Sequence, residues 1–442
     1  MRDVLLTAII FGAIPFILWR PYIGVLMWVW VSVMNPHRLT YGFAYDFNFA
    51  VVIAVVTLVG ALASKDLKRP PMTSLTMALL FFTAWTGVTT LFSLYPAAAY
   101  EKWTTLMKTE LMVFLIPMLF HTKERVRLLI WVLVMSIAYY GVKGGVWALA
   151  TGGAERVYGP EGSYLEDNNA LAVAVIMMIP LMRYLQLTTT IRPMRWALAA
   201  MMLLCGVGAL GSYSRGAFIA VSAMVAFLCW KSKHKVPVIL VAALAVPAAL
   251  SFMPDKWFHR MDTIATYEED TSANMRLNAW GTMFNLAKDR PLVGGGFEVA
   301  EKAVFDRYAP DSRFPPQVAH SIYFQALGEH GFVGLALLLW LYIAFWRQAG
   351  ALVRMTEGRH SLAWAHYYGR MMQVSFMGFA VGGAFLSLVN VDVTYYLVGA
   401  LVAVRALVEK ELRASGAVSA SANRQRRLPG LAARQSAGPW SG

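Results

Sequence analysis

Runs of apolar residues recur along this chain, most of them approaching twenty residues, and they restrict what it can fold into more than any other feature. They lie at roughly 4–34, 46–64, 73–94, 103–120, 126–150, 168–187, 195–211, 215–230, 236–253, 320–346, 366–389 and 392–409. Such lengths match the hydrocarbon thickness of a bilayer when the backbone is helical. The runs are nearly continuous and do not alternate, which argues against membrane strands. With 58% hydrophobic and only 14% charged residues, the chain falls well short of the roughly 25% charge of soluble domains. The sequence therefore predicts an all-α, polytopic transmembrane bundle. The first run has no small-residue cleavage site behind it and is read as a retained span. Trp19-Arg20-Pro21 interrupts it, as one kinked crossing or as two half-helices.

The formal net charge of +14 would suggest nucleic acid in a soluble protein. Here the basic residues gather in short loops between apolar runs, where they set topology, and no nucleic-acid partner is expected. Basic loops occur at 65–69, 121–127, around Arg183, Arg192 and Arg195, at 231–235 and at 347–359. They are alternate loops, so the positive-inside bias places all of them in the cytoplasm. The loops between them then face outward: 35–45, 95–102, 151–167, 211–215, 254–319 and the turn near Asn390. The pattern closes with about twelve crossings and both termini cytoplasmic, counting the first run once. If Trp19-Arg20-Pro21 is a true turn, the N-terminus moves outside and nothing downstream changes. Four parts follow: N-terminal spans 1–253, a large outer loop 254–319 containing helix, C-terminal spans 320–411, and a basic tail 412–442 rich in Ala, Ser and Gly, expected to be disordered and cytoplasmic. Cys205 and Cys229 lie inside apolar runs and read as packing residues.

The large outer loop holds Arg260, Arg276, Arg290, Arg307 and Arg313, against the topological bias, and anion binding is a natural reason for them. Residues 270–289 read as a helix, capped by Thr271 or Ser272 and ended by Arg290-Pro291. Arg276, Trp280, Met283 and Ala287 share one stripe, so the Trp280 indole can pack beside the Arg276 guanidinium. The alternative is an amphipathic surface helix with Arg276 solvated. Pro291-Leu292-Val293-Gly294-Gly295-Gly296-Phe297 follows, where three glycines offer either backbone amides for a phosphate or a simple hinge. Arg215, in Ser214-Arg215-Gly216, sits at an outer turn between two spans, facing a ligand or snorkelling to headgroups. Loop 151–167 ends in Glu166-Asp167-Asn168-Asn169. His320 stands where the outer loop meets the next span, and Gly331, eleven residues on, returns to nearly the same helical face. Nearby arginines would tend to keep its imidazole uncharged, as a base requires. His330 lies on another face and reads as structural. The other histidines lie in loops or near span ends, no pair has metal-ligand spacing, and neither a zinc-hydrolase nor a P-loop motif occurs; no metal and no cofactor is expected.

These residues together resemble the O-antigen ligase and polymerase superfamily, integral membrane glycosyltransferases of the GT-C type. The match is His320-Ser321, nine residues, then Gly331-Phe332-Val333-Gly334, joined by Arg276, Trp280, 291–296 and Ser214-Arg215-Gly216. Asp167-Asn168-Asn169-Ala170 is similar to the superfamily's Asp-Pro-Asn segment, with Asn168 where proline is usual. The opening stretch, with Trp30 and 34–38, resembles a branch described as probable protein O-glycosylation ligases associated with exosortase systems. The resemblance implies an O-antigen ligase of lipopolysaccharide biosynthesis in the bacterial inner membrane, with its site facing the periplasm. Glycan would move from undecaprenyl pyrophosphate to a lipid A-core sugar hydroxyl, with inversion and without metal or nucleotide. It implies His320 as general base, Arg215 and Arg276 as catalytic and pyrophosphate-binding residues, and Arg290 as a third pyrophosphate contact. Asn168, Asn169 and Trp280 are further candidates, and apolar and aromatic span residues would pack the polyprenyl tail among membrane lipid. A protein Ser/Thr acceptor or a repeat-unit polymerase uses the same donor and remains open. A transporter is a third reading, disfavoured because charge concentrates at one face and no internal repeat is evident.

Overall fold

A computed structural model describes residues 1–231, 251, 253–262 and 271–426. Apart from Ser251 and Met253, the run expected at 236–253 lies outside the described residues, as do the acidic stretch 268–270 and the tail 427–442. Among the described residues every regular element is helical. The helices are α1 (Arg2–Trp19), α2 (Pro21–Met34), α3 (Phe49–Ala63), α4 (Ser74–Leu91), α5 (Pro96–Leu119), α6 (Lys123–Ala150), α7 (Asn168–Thr188), α8 (Arg192–Leu210), α9 (Arg215–Lys231), α10 (Asp255–Asp262), α11 (Thr271–Asp289), α12 (Lys302–Tyr308), α13 (Ile322–Thr356), α14 (Ala363–Gly382) and α15 (Asp392–Arg426). Six of them are long and apolar enough to cross a membrane, namely α1, α4, α6, α7, α8 and α13, and α2 and α3 are shorter apolar helices.

The first run is two helices. Arg20 takes an extended conformation (φ −135°, ψ 86°), and Pro21 opens α2 at the position where a missing N–H costs nothing. α1 and α2 then run antiparallel, both against α3. Asp3 Oδ1 accepts from the backbone N–H of Gly42 at 2.9 Å and of Ala44 at 3.2 Å, and Arg2 Nη1 donates to the Leu39 carbonyl. Residues 1–3 therefore lie at the same end as the 35–48 connection. A cytoplasmic N-terminus together with an outward 35–45 loop is not compatible with this hairpin; the two share one side.

α7 is the central helix. Apolar on nearly every face, it is enclosed by α6, α8, α9 and α14, as expected for a helix without a polar stripe. α6 and α8 meet backbone to backbone: a Cβ on Gly208 would fall 2.5 Å from the Gly141 carbonyl oxygen. Such contacts between small residues are how helices associate where lipid removes the hydrophobic drive. One end of the bundle gathers 92–95, 151–167, 211–214 and 383–391; we call it the site end. The opposite end is tied by Arg125 to Asp66 at 2.7 Å and by Gln186 Nε2 to the Arg195 carbonyl at 2.8 Å. Charge is not confined to one face. Glu110 is 2% exposed within α5, and Thr109 Oγ1 donates to Asp392 Oδ1 at the start of α15. Charge placement alone therefore does not separate a transferase from a transporter.

α13 is broken. Gly331 has φ 70° and ψ −172°, a conformation open essentially to glycine alone. The break divides 322–330 from 332–356, and His320 (φ 45°) and Ser321 (φ −161°) precede the helix, so helical periodicity does not relate His320 to Gly331. The free groups are met by the glycine-rich segment: Gly295 and Gly296 donate to the carbonyls of Gly328 and Glu329, both at 2.8 Å, and Phe332 donates to the Pro291 carbonyl at 2.8 Å. Gly294 donates to the Arg290 carbonyl. All three glycine amides are thus engaged within the chain, and the reading that they face a phosphate is corrected: they cap a helix break. Residues 271–319 form a small core of their own, with Ala279, Met283, Leu286, Val299, Val304, Phe305 and Ala319 buried together. That unit rests on the first half of α13.

Candidate functional site

His320 lies near the end of the connection that follows α12, two positions before α13 begins. Its backbone has φ 45°, in the left-handed region that a non-glycine residue adopts only where its surroundings hold it. Two bonds supply that hold. The His320 N–H donates to Ser387 Oγ at 2.8 Å, and the Trp280 indole N–H donates to the neighbouring Ala319 carbonyl at 2.7 Å. The Trp280 ring also stacks on Phe324, 4.9 Å between centroids and 6° between planes. Trp280 thus fastens the histidine-bearing backbone, a task that helical spacing did not reveal.

The imidazole is half-buried. Burial, then the Arg276 guanidinium, hold its pKa below the ordinary histidine value, while Asp167 opposes them. The ring is therefore neutral at pH 7, as a proton acceptor must be. Arg276, one turn into α11, and Asp167, at the N-terminus of α7, are thus the charged groups the ring senses. Asp167 caps α7, accepting from the N–H groups of Asn169 at 2.9 Å and Ala170 at 3.2 Å.

Arg215 opens α9 and is 8% exposed. Its turn is strained at Tyr213 (φ 59°), whose hydroxyl donates to the Gly153 carbonyl at 2.6 Å. Asn168 is buried and donates Nδ2 to the Ser212 carbonyl at 2.6 Å, tying α7 to this turn, while Asn169 Nδ2 donates to Asp167 Oδ1 at 3.1 Å. Gly216 packs on Phe385, and Ile322 packs on Gly383. The 383–387 turn therefore touches both the Arg215 turn and the His320 segment. His320, Arg276, Arg215 and the 167–169 corner come together at the site end.

Arg290 does not join them. It stands fourteen positions beyond Arg276, just past the end of α11, a rise of ~21 Å along the helix. Its guanidinium donates to the Phe92 carbonyl, tying the end of α11 to the end of α4. His330 is fully buried, its Nδ1 2.8 Å from Thr89 Oγ1 and its ring edge-on to Phe297; its position is that of a packed core histidine. Sequence reasoning missed Ser387, which lies 67 positions from the backbone it holds. A serine in an apolar turn carries no local signal of such a contact.

Residues 170–339 match the family described as O-Antigen ligase, and residues 1–190 match a family of unknown function (DUF5935). No curated protein matches the chain. The matched segment holds Arg215, Arg276 and His320, and its match supports a relation to the O-antigen ligase family. Together with the apolar helices, it makes the chain a multi-pass membrane protein.

Proposed function

We propose that this protein transfers a glycan from undecaprenyl pyrophosphate to a sugar hydroxyl of lipid A-core, at the periplasmic face of the bacterial inner membrane. The observation that carries the reading is the neutral, half-buried His320 held beside Arg276, with the buried Arg215 fastened to the same turn. In this reaction His320 takes the proton of the acceptor hydroxyl. The acceptor oxygen bonds to the anomeric carbon as the bond to the pyrophosphate oxygen breaks, which inverts the configuration. Arg276 and Arg215 bind the pyrophosphate and stabilise the charge that gathers on it as it leaves. The donor bond carries the driving energy, so no nucleotide is consumed. The basic loops at the opposite end support a cytoplasmic assignment for that end; the N-terminus then faces the periplasm with the site, and α15 runs toward the cytoplasm.

The test is complementation. In a bacterial strain lacking its own ligase, the protein is expected to restore a lipopolysaccharide ladder on a gel. No ladder together with the appearance of glycosylated protein would give the acceptor role to Ser or Thr side chains; absence of both would overturn the ligase assignment.

A pH prediction follows from the electrostatics. With His320 as base, kcat/KM falls as pH drops through its pKa, below the usual value of about 6.5. Asp167 is the group that raises that pKa. Asp167→Asn keeps a capping residue and removes the charge, so the acidic limb is expected to move to lower pH. A profile from about pH 4.5 to 8 checks it; a limb that stays or moves upward would disprove the coupling.

A further inference from the structure

A cavity opens behind the histidine. It has a volume of about 280 Å³ and is lined by Lys102, Glu298, Gln325, Glu329, Ser387 and Asn390, among others. That is near the lower end of the range for small-molecule sites, about 300–1,000 Å³. It shares a wall with the site, because Ala319 and Ser387 line it and Ser387 also holds the His320 backbone.

Its polar groups are built in and partly unsatisfied. Asn390 is 6% exposed, and neither Oδ1 nor Nδ2 has a hydrogen-bond partner among the described residues. Glu329 is 9% exposed; Oε1 accepts from Gln325 Nε2 at 3.1 Å, while Oε2 lies 3.7 Å from His330 Nε2, beyond hydrogen-bonding distance. Buried polar groups cost free energy unless they are bonded, so an amide with both ends idle points to a ligand that meets them. The opposite wall is held in place: Lys102 Nζ lies 3.0 Å from Glu298 Oε1 and 4.9 Å from the Tyr164 ring centroid, and Glu298 sits at φ 58°.

The chemistry of the lining selects the ligand class. One lysine, already paired, faces two carboxylates, so the cavity does not favour an anion; the two site arginines do. An amide, a carboxyl group and a serine hydroxyl together both donate and accept, as sugar hydroxyls require. We propose that this cavity is a subsite for a neutral, hydroxyl-rich sugar presented to His320. The inference rests on the transferase reading above. The sugar arrives either as the acceptor or as the first residue of the donor glycan.

The experiment uses the full chain in lipid nanodiscs, with lipid-linked glycan and lipid A-core titrated separately. Asn390→Ala removes one hydrogen-bonding side chain. It is expected to raise the KM for lipid A-core about three- to tenfold and to leave the donor KM within about twofold. A rise in donor KM alone would assign the cavity to the donor sugar and leave the sugar-subsite inference standing. No change in either KM overturns it. If Asn390→Ala fails to elute as a folded species, the near-isosteric Glu329→Gln carries the same test. Binding of a dephosphorylated core oligosaccharide, followed by saturation-transfer NMR, separates this inference from the function. A wild-type signal that Asn390→Leu removes supports the subsite even where no transfer occurs; no wild-type signal from either this core oligosaccharide or a phosphate-free oligosaccharide released from the donor, or a stronger one from the phosphorylated core, overturns it.

Discussion

His320→Ala is expected to lower glycan transfer by about 10²- to 10⁴-fold, the usual contribution of a positioned general base. The protein should remain folded, because the bonds that hold this segment involve the backbone of His320, the carbonyl of Ala319 and the side chains of Ser387 and Trp280. The readout is rate in a purified assay at saturating donor, with elution profile as the folding control. A base acts in the transition state and contributes little to ground-state binding, so kcat should fall while the donor KM stays close to wild type. Full activity of the alanine variant at equal protein would remove His320 from the mechanism. His330→Ala separates the two histidines: it empties a packed site, so its effect should appear in stability first.

Gly331→Ala is expected to destabilise the protein by about 2–6 kcal/mol, combining backbone strain with overpacking. A Cβ on Gly331 would fall 2.5 Å from the Leu292 carbonyl oxygen and 2.6 Å from that of Pro291. Those carbonyls belong to the segment that caps the break, so the methyl group would drive the cap away from the helix ends it satisfies. Gly358 offers a comparison at positive φ without the collision. It has a similar φ of 71° but open space around its Cβ position, so Gly358→Ala carries strain without collision. Thermal melts in detergent, read by size exclusion, should rank Gly331→Ala well below Gly358→Ala; equal melting temperatures would show that the junction is not tightly packed.

The helices were legible in the sequence because lipid leaves long apolar runs little choice, and the expected runs that lie within the described residues all became helices. Arg20 was legible only as an ambiguity, since the same Arg-Pro step serves a kink or a turn; contacts from Asp3 to Gly42 and Ala44 decide it. His320, Arg276 and Arg215 could be singled out because charge at a membrane boundary needs a reason. Arg290 passed the same filter and is found bonded to Phe92. The Gly294-Gly295-Gly296 run shows why short motifs mislead: the same flexible backbone fits a phosphate or a helix break, and only the partner at Gly331 distinguishes them. The cavity behind His320 had no local signature. Lys102 and Asn390 each look ordinary in sequence and matter only once α5, α13 and the turn before α15 are brought together.

The break at Gly331 also has a mechanical meaning. The segment 322–330 is a straight rod ~13 Å long, pivoted at Gly331, with His320 near its free end. A rotation of only ~5° at that pivot would carry the imidazole by ~1 Å, a displacement that costs about 10²-fold in rate in a positioned reaction. The glycine cap, the Trp280 anchor and Ser387 are the clamps that hold the rod at its angle. A substitution at the pivot that shifts this angle, far from any reacting atom, should therefore lower the rate steeply even while the clamps themselves hold.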